Sequence, residues 1–121
     1  MRPLSPLASA WYEQAMDALS ADPILARFRA ALGDLYGPRL DRVVLFGSRA
    51  RGEAGPDSDY DVAVFLTALP DRWAELDRLA DLRVRFLDET GAFFDAKPYA
   101  AAAWREASPL MHEIRREGLE L

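Results

Sequence analysis

The chain has 121 residues, a formal net charge of −5, one His and no Cys. That length holds one domain, and zero cysteines exclude a disulfide framework, a Cys-ligated metal or iron–sulfur site and a thiol nucleophile. Half of the residues are apolar and 29% are charged, a globular composition; no apolar run reaches membrane-spanning length, and the acidic surplus speaks against a protein that grips a nucleic-acid backbone.

The N-terminal stretch MRPLSPLASAWYEQ has one Arg, two prolines and no continuous apolar core, so it reads poorly as a signal peptide and the cytoplasm is the expected compartment. Residues 5–20 carry Ala8, Trp11, Tyr12, Ala15 and Leu19 at helical spacing. Asp22-Pro23 predicts a second helix start, with Asp as N-cap and Pro at the first helical position. Ile24, Leu25, Phe28, Leu32 and Leu35 form its stripe, and Gly37-Pro38 ends it. Arg42–Gly47 predicts a buried strand. Ser48–Ser58, with Gly52, Gly55 and Pro56, is loop with room for one helical turn. Asp59–Leu66 reads as a second strand. Leu69-Pro70-Asp71 opens a long helix in which Trp73, Leu76, Ala80, Val84 and Leu87 share a face, and Gly91 closes it. Ala92–Ala96 is a third short strand, stopped by Pro98. Residues 100–117 are helical with a break at Ser108-Pro109, capped by Gly118. The order α-α-β-β-α-β-α implies a small sheet covered by helices. The expected organisation is one domain over 1–121: N-terminal helices over 1–37, a core over 41–98 and a C-terminal helix over 99–121.

The chemistry concentrates in Val43–Leu66, VVLFGSRARGEAGPDSDYDVAVFL. Asp57, Asp59 and Asp61 fall within five residues. On a strand with period two, Asp59 and Asp61 share one face, while Tyr60, Val62, Val64 and Leu66 point to the other. Two carboxylates side by side at 4 Å repel by about 4 kcal/mol at an effective dielectric near 20. Open solvent or a divalent cation relieves that repulsion. Acidic residues also crowd ordinary turns, so the pair alone is weak.

The pair has company. Gly47-Ser48 follows the first predicted strand, ten residues ahead of Asp59. Glycine admits close backbone approach to a phosphate, and serine adds a hydroxyl and an N–H. Arg49 and Arg51 offer forked guanidinium groups to a polyphosphate, and 14 of the 15 basic residues are Arg. A P-loop fails because Glu53 stands where its lysine is needed, and no G-x-G-x-x-G supports a dinucleotide fold.

With Gly47, Ser48, Asp59 and Asp61 at this spacing between two predicted strands, the sequence resembles the nucleotidyltransferase superfamily to which DNA polymerase beta belongs, and within it the minimal stand-alone branch. The resemblance spans about Val43 to Ala96 and, more loosely, the ending SPLMHEIRREG. It implies an α/β (α+β) palm-like fold with a small mixed β-sheet flanked by helices, and makes 41–98 a catalytic core. It implies two Mg²⁺ ions held by Asp59 and Asp61, with Asp95 in FFDAK as a third carboxylate on the next strand. It implies ATP as substrate, Gly47 and Ser48 at the β- and γ-phosphates, and Arg49 or Arg51 offsetting charge. About 25 residues follow Asp95, so the expected acceptor is small or brings its own binding surface.

Minimal nucleotidyltransferases of this kind are often paired with small helical HEPN ribonuclease toxins and act as antitoxins that adenylylate a toxin tyrosine. The leading expectation is therefore an ATP-dependent protein adenylyltransferase with a HEPN-type partner. One alternative is transfer to a small hydroxylated molecule such as an aminoglycoside; another is a non-catalytic binding module of the same fold. Lys97 shares a strand face with Asp95 and reads as exposed. His112 reads as structural or exposed, and Trp11, Trp73 and Trp104 read as core or partner contacts.

Overall fold

The computed structural model describes residues 6–121, with side chains described from Glu13 onward. The expected helical positions Ala8, Trp11 and Tyr12 lie outside the described side chains, and Ser5 outside the described residues. Helix α1 spans Pro6–Ala21 and α2 spans Pro23–Tyr36. Asp22 caps α2 through a carboxylate oxygen that accepts from the Leu25 N–H, with Pro23 at the first helical position. A 3₁₀ turn over Gly37–Arg39 leads into β1, Leu40–Phe46. The short helix α3, Gly47–Ala50, precedes β2, Tyr60–Leu66. Helix α4 spans Arg72–Thr90 between an Asp71 N-cap and a left-handed Gly91. Strand β3 spans Phe94–Ala100, a 3₁₀ turn covers Ala101–Arg105, α5 spans Pro109–Glu117 behind its Ser108 cap, and β4 is Leu119–Glu120.

Among the described residues the four strands form one sheet in the order β3-β2-β1-β4. Strand β1 runs antiparallel to β2 and β4, whereas β2 and β3 are parallel, with α4 as the crossover. The sheet is mixed and flanked by helices, as expected.

Both faces of the sheet are covered. On one, Val43, Leu45, Tyr60, Val62, Val64, Leu66, Phe94 and Ala96 meet the buried sides of α2 and α4. The Phe94 ring is the centre of this layer. It stacks on Phe28 at 3.8 Å and on Tyr60 at 4.4 Å, and Phe86 approaches it edge-on. On the other face, Val44, Ala63 and Phe65 pack beneath Ala103, Met111 and Ile114, with Trp104 edge-on to Phe65. This explains why β2 is apolar on both sides past its first turn.

Four expectations need correction. In α4 the buried side is Glu75, Leu79, Leu82 and Phe86, while Trp73, Val84 and Leu87 are exposed. The apolar stripe in the sequence faces outward, because the inward stripe holds a charged residue that masks it. Glu75 is only 3% exposed and is held by Arg39 and Arg78, each at 2.9 Å. In α2 the same happens more mildly: Tyr36 is buried and Leu35 is exposed. Strand β3 is not stopped by Pro98 but runs through it to Ala100. The Phe93 carbonyl accepts from the Tyr60 N–H, so alternate residues from Phe93 turn their backbone to β2. Pro98 lies out of that phase on an edge strand, where no N–H is needed. Lastly, residues 99–121 are not a helix alone: Gly118 ends α5 and β4 pairs with Val44 and Leu45.

The α4 correction has a direct stability test. Leu79→Ala should cost about 2–5 kcal/mol, and Trp73→Ser no more than about 0.5 kcal/mol, read by urea denaturation. The reverse order would restore the face inferred from the sequence.

Candidate active site

The site forms where β1 ends and β2 begins. Gly47 follows Phe46 directly and has φ of 74°, a region L side chains rarely enter. A side chain there would also drive its Cβ onto the Asp61 carboxylate, with Cγ of Asp61 only 3.3 Å away. Both constraints demand glycine. The backbone of the turn therefore lies against a carboxylate, and Ser48 sits half-buried in the first turn of α3.

Register brings the acidic residues together. In the antiparallel ladder Asp61 is opposite Phe46, and in the parallel ladder it is opposite Asp95. Asp61 and Asp95 thus project from adjacent strands on the same face, away from Tyr60 and Phe94. Strand β2 begins at Tyr60 rather than Asp59, so Asp59 is carried by the end of the loop and is exposed. The Asp61 carboxyl is pushed above the usual range by burial first, then by the charges of Asp95 and Asp59; Lys97 lowers it and Glu113 raises it. Lys97 places its ammonium 3.8 Å from Asp95.

Among the described residues no three acidic or histidine side chains converge as a ready-made metal cluster. The ladder aligns Asp61 with Asp95, and the loop carries Asp59. The donors are carboxylate oxygens, which suit a hard cation such as Mg²⁺, and the charge crowding at Asp61 is of the kind a divalent cation relieves. The residues present fit such an ion.

The two arginines have different partners. Arg49 donates from Nε to the Ser58 carbonyl at 2.8 Å and from Nη2 to the Pro56 carbonyl at 3.2 Å. Its guanidinium lies 3.8 Å over the Tyr60 ring. Arg51 is exposed and bonds the carboxylates of Glu53 and Glu117, at 3.0 and 3.2 Å. His112 is exposed, and Trp104 is half-buried beneath the Arg42 guanidinium at 4.1 Å.

Glu113 and Glu117 were not singled out from the sequence. Both lie on α5, which packs Met111 and Ile114 against Val44, Ala63 and Phe65; the charge of Glu113 acts on Asp61, and Glu117 pairs with Arg51. The only available signal was their i,i+4 spacing, which gives no information about which end of the sheet the helix covers.

This arrangement matches a known family. The chain belongs to the nucleotidyltransferase domain family, whose model matches residues 25–101. A relative from Methanocaldococcus jannaschii, provisionally named a protein adenylyltransferase, is 38% identical over 47 residues; the match covers 39% of this chain and 48% of that protein. The chain thus spans about half the length of this curated relative. Solved structures share the fold. A toxin–antitoxin complex with AMP-PNP is 22% identical with a TM-score of 0.53, over 78% of this chain and 69% of that one. A protein from Sulfolobus solfataricus, provisionally named a nucleotidyltransferase, is 16% identical with a TM-score of 0.56, over 91% and 84%.

Asp61 should limit the stability of the cation-free protein. Its folded pKa is raised, so the penalty is absent below the ordinary carboxylate range and grows as pH rises through the raised value. Asp61→Asn should therefore raise the melting temperature in chelator at neutral pH, with the gain shrinking on acidification. An unchanged or lower melting temperature would contradict the charge crowding.

Proposed function

We propose that the chain is a Mg²⁺-dependent adenylyltransferase that moves AMP from ATP to a hydroxyl of a partner protein, as the antitoxin of a pair whose toxin is a small helical HEPN-type ribonuclease. The observation that supports this most is the alignment of Asp61 with Asp95 beside the Gly47 turn. Residues 1–121 act as one domain, with 41–98 as its catalytic core and ATP drawn from the cytoplasm. The curated relative's adenylyltransferase name and the toxin–antitoxin neighbour favour this reading over others in the family.

Asp59, Asp61 and Asp95 would hold the metal. When bound, divalent cations offset the carboxylate charge and stabilise the attacking and leaving oxygens of an in-line displacement. The acceptor oxygen bonds to the α-phosphorus, the bond from that phosphorus to the bridging oxygen breaks, and pyrophosphate leaves. Asp95, on the edge strand, orients the acceptor hydroxyl and takes its proton. Gly47 admits the β- and γ-phosphates to the backbone, and Ser48 contributes its hydroxyl and N–H. Arg51 can exchange its two surface carboxylate partners for phosphate oxygens at little cost, because exposed ion pairs contribute little.

The test is to incubate the chain with its partner, Mg²⁺ and ATP and to weigh the partner by intact-mass spectrometry. The partner should gain one adenylate, and Asp59→Ala or Asp61→Ala should abolish the gain. Pyrophosphate release only with small hydroxylated acceptors would contradict the protein acceptor. Neutralisation of the partner by the alanine variants would contradict catalysis and favour a binding module.

A further inference from the structure

Arg49 lies on the far side of the sheet from the aligned carboxylates. Successive strand residues point to opposite faces, so Tyr60 and Phe94 face away from Asp61 and Asp95. The Arg49 guanidinium covers Tyr60, at 3.8 Å. Beneath it the aromatic column continues through Phe94 to Phe28, at 4.4 and 3.8 Å. The Tyr60 hydroxyl donates to the carboxylate of Asp22, which also caps α2. Arg49 therefore stands on an anchored base that runs into the core.

Its N–H groups point into the loop. Nε and Nη2 take two carbonyls, of Ser58 and Pro56, from the segment that delivers Asp59. Among the described residues, the loop's other anchors lie at its start, where the Glu53 N–H donates to the Ser48 carbonyl and Arg51 pairs with Glu117. Its internal bonds are few: the Gly55 N–H to the Ser58 hydroxyl, and the Ser58 N–H to the Gly55 carbonyl. Asp59 lies just outside the β2 ladder, whose first bond runs from the Tyr60 N–H to the Phe93 carbonyl, so the ladder anchors only its C-terminal side.

We infer that Arg49 is a positioning residue: its fork clamps the Pro56 and Ser58 carbonyls onto Tyr60, and so sets where the loop presents Asp59. This deepens, and rests on, the nucleotidyl-transfer reading, but changes what one of its arginines does. A phosphate ligand needs positive charge and reach, whereas a clamp on two carbonyls needs the planar fork. Lysine supplies the first and not the second.

The experiment compares wild type, Arg49→Lys and Arg49→Met, the last keeping an apolar stem over Tyr60. Amide hydrogen exchange of the full chain without nucleotide is read at residues 51–59 and, as a folding control, at Val62–Leu66. Steady-state kcat and KM for ATP are read from pyrophosphate release with the acceptor. Both variants should exchange about 10-fold faster over 51–59 while β2 keeps its protection. In both, kcat should fall by about 100-fold with KM for ATP within about 3-fold of wild type.

Rescue of kcat by lysine would overturn the clamp, as would a raised KM with kcat kept, or unchanged exchange over 51–59. Lost protection at Val62–Leu66 in both variants would also overturn it, by making Arg49 a general folding contact. If wild type releases no pyrophosphate, the functional reading fails on its own, and the exchange data still decide whether Arg49 holds the loop.

Discussion

Parallel pairing of β2 with β3 forces Asp61 and Asp95 to stand abreast at one end of a sheet. Like charges on adjacent strands oppose each other, and burial at Asp61 sharpens the conflict. The fold tolerates this because the rest of β2 is apolar and buried. Val62, Ala63, Val64, Phe65 and Leu66 are each no more than 1% exposed. Sliding the register by one residue would exchange Val62 and Val64, packed with α2 and α4, for Ala63 and Phe65, packed with Met111 and Ile114 on the other face, and so disrupt both layers. The cost of charge is thus locked in by the hydrophobic layer behind it.

The sheet divides its work between its two faces. One face is closed by α2 and α4 and by the column Phe28–Phe94–Tyr60, and it holds the larger buried cluster. The other is closed only in part, by the 3₁₀ turn after β3 and by α5, and leaves its acidic end open. Strand β4 pairs with β1 just after α5, and from α5 the charge of Glu113 acts on Asp61 while Glu117 pairs with Arg51. Gly47 joins the two halves, since its turn passes so close to Asp61 that no side chain fits. The charge crowded at Asp61 is therefore held at a cost to stability.

Much of this was legible in the sequence. Asp22-Pro23 and Asp71 marked helix starts, Gly91 marked a stop, and the alternation after Asp59 located β2 within one residue. Glycine at 47 and acids at 59 and 61 marked a candidate site only in combination, because each alone is ordinary turn composition. What stayed hidden depended on tertiary partners. The buried side of α4 was masked by Glu75, whose charge is paired both by Arg78 on its own helix and by Arg39 from another element. Strand β3 looked finished at Pro98, because nothing local says that it is an edge. The side to which Arg49 turns depends on Tyr60, eleven residues later, and no periodicity encodes that.

The central claim is that the aligned carboxylates and the Gly47 turn together form one site for a divalent cation and ATP. Isothermal titration calorimetry tests it most directly, with ATP added to the chain in the presence and absence of Mg²⁺. Binding heat is predicted only when both are present, and is predicted to vanish in a chain in which Asp61 is replaced by Asn. Equal heat without Mg²⁺, or none with both, would contradict the account.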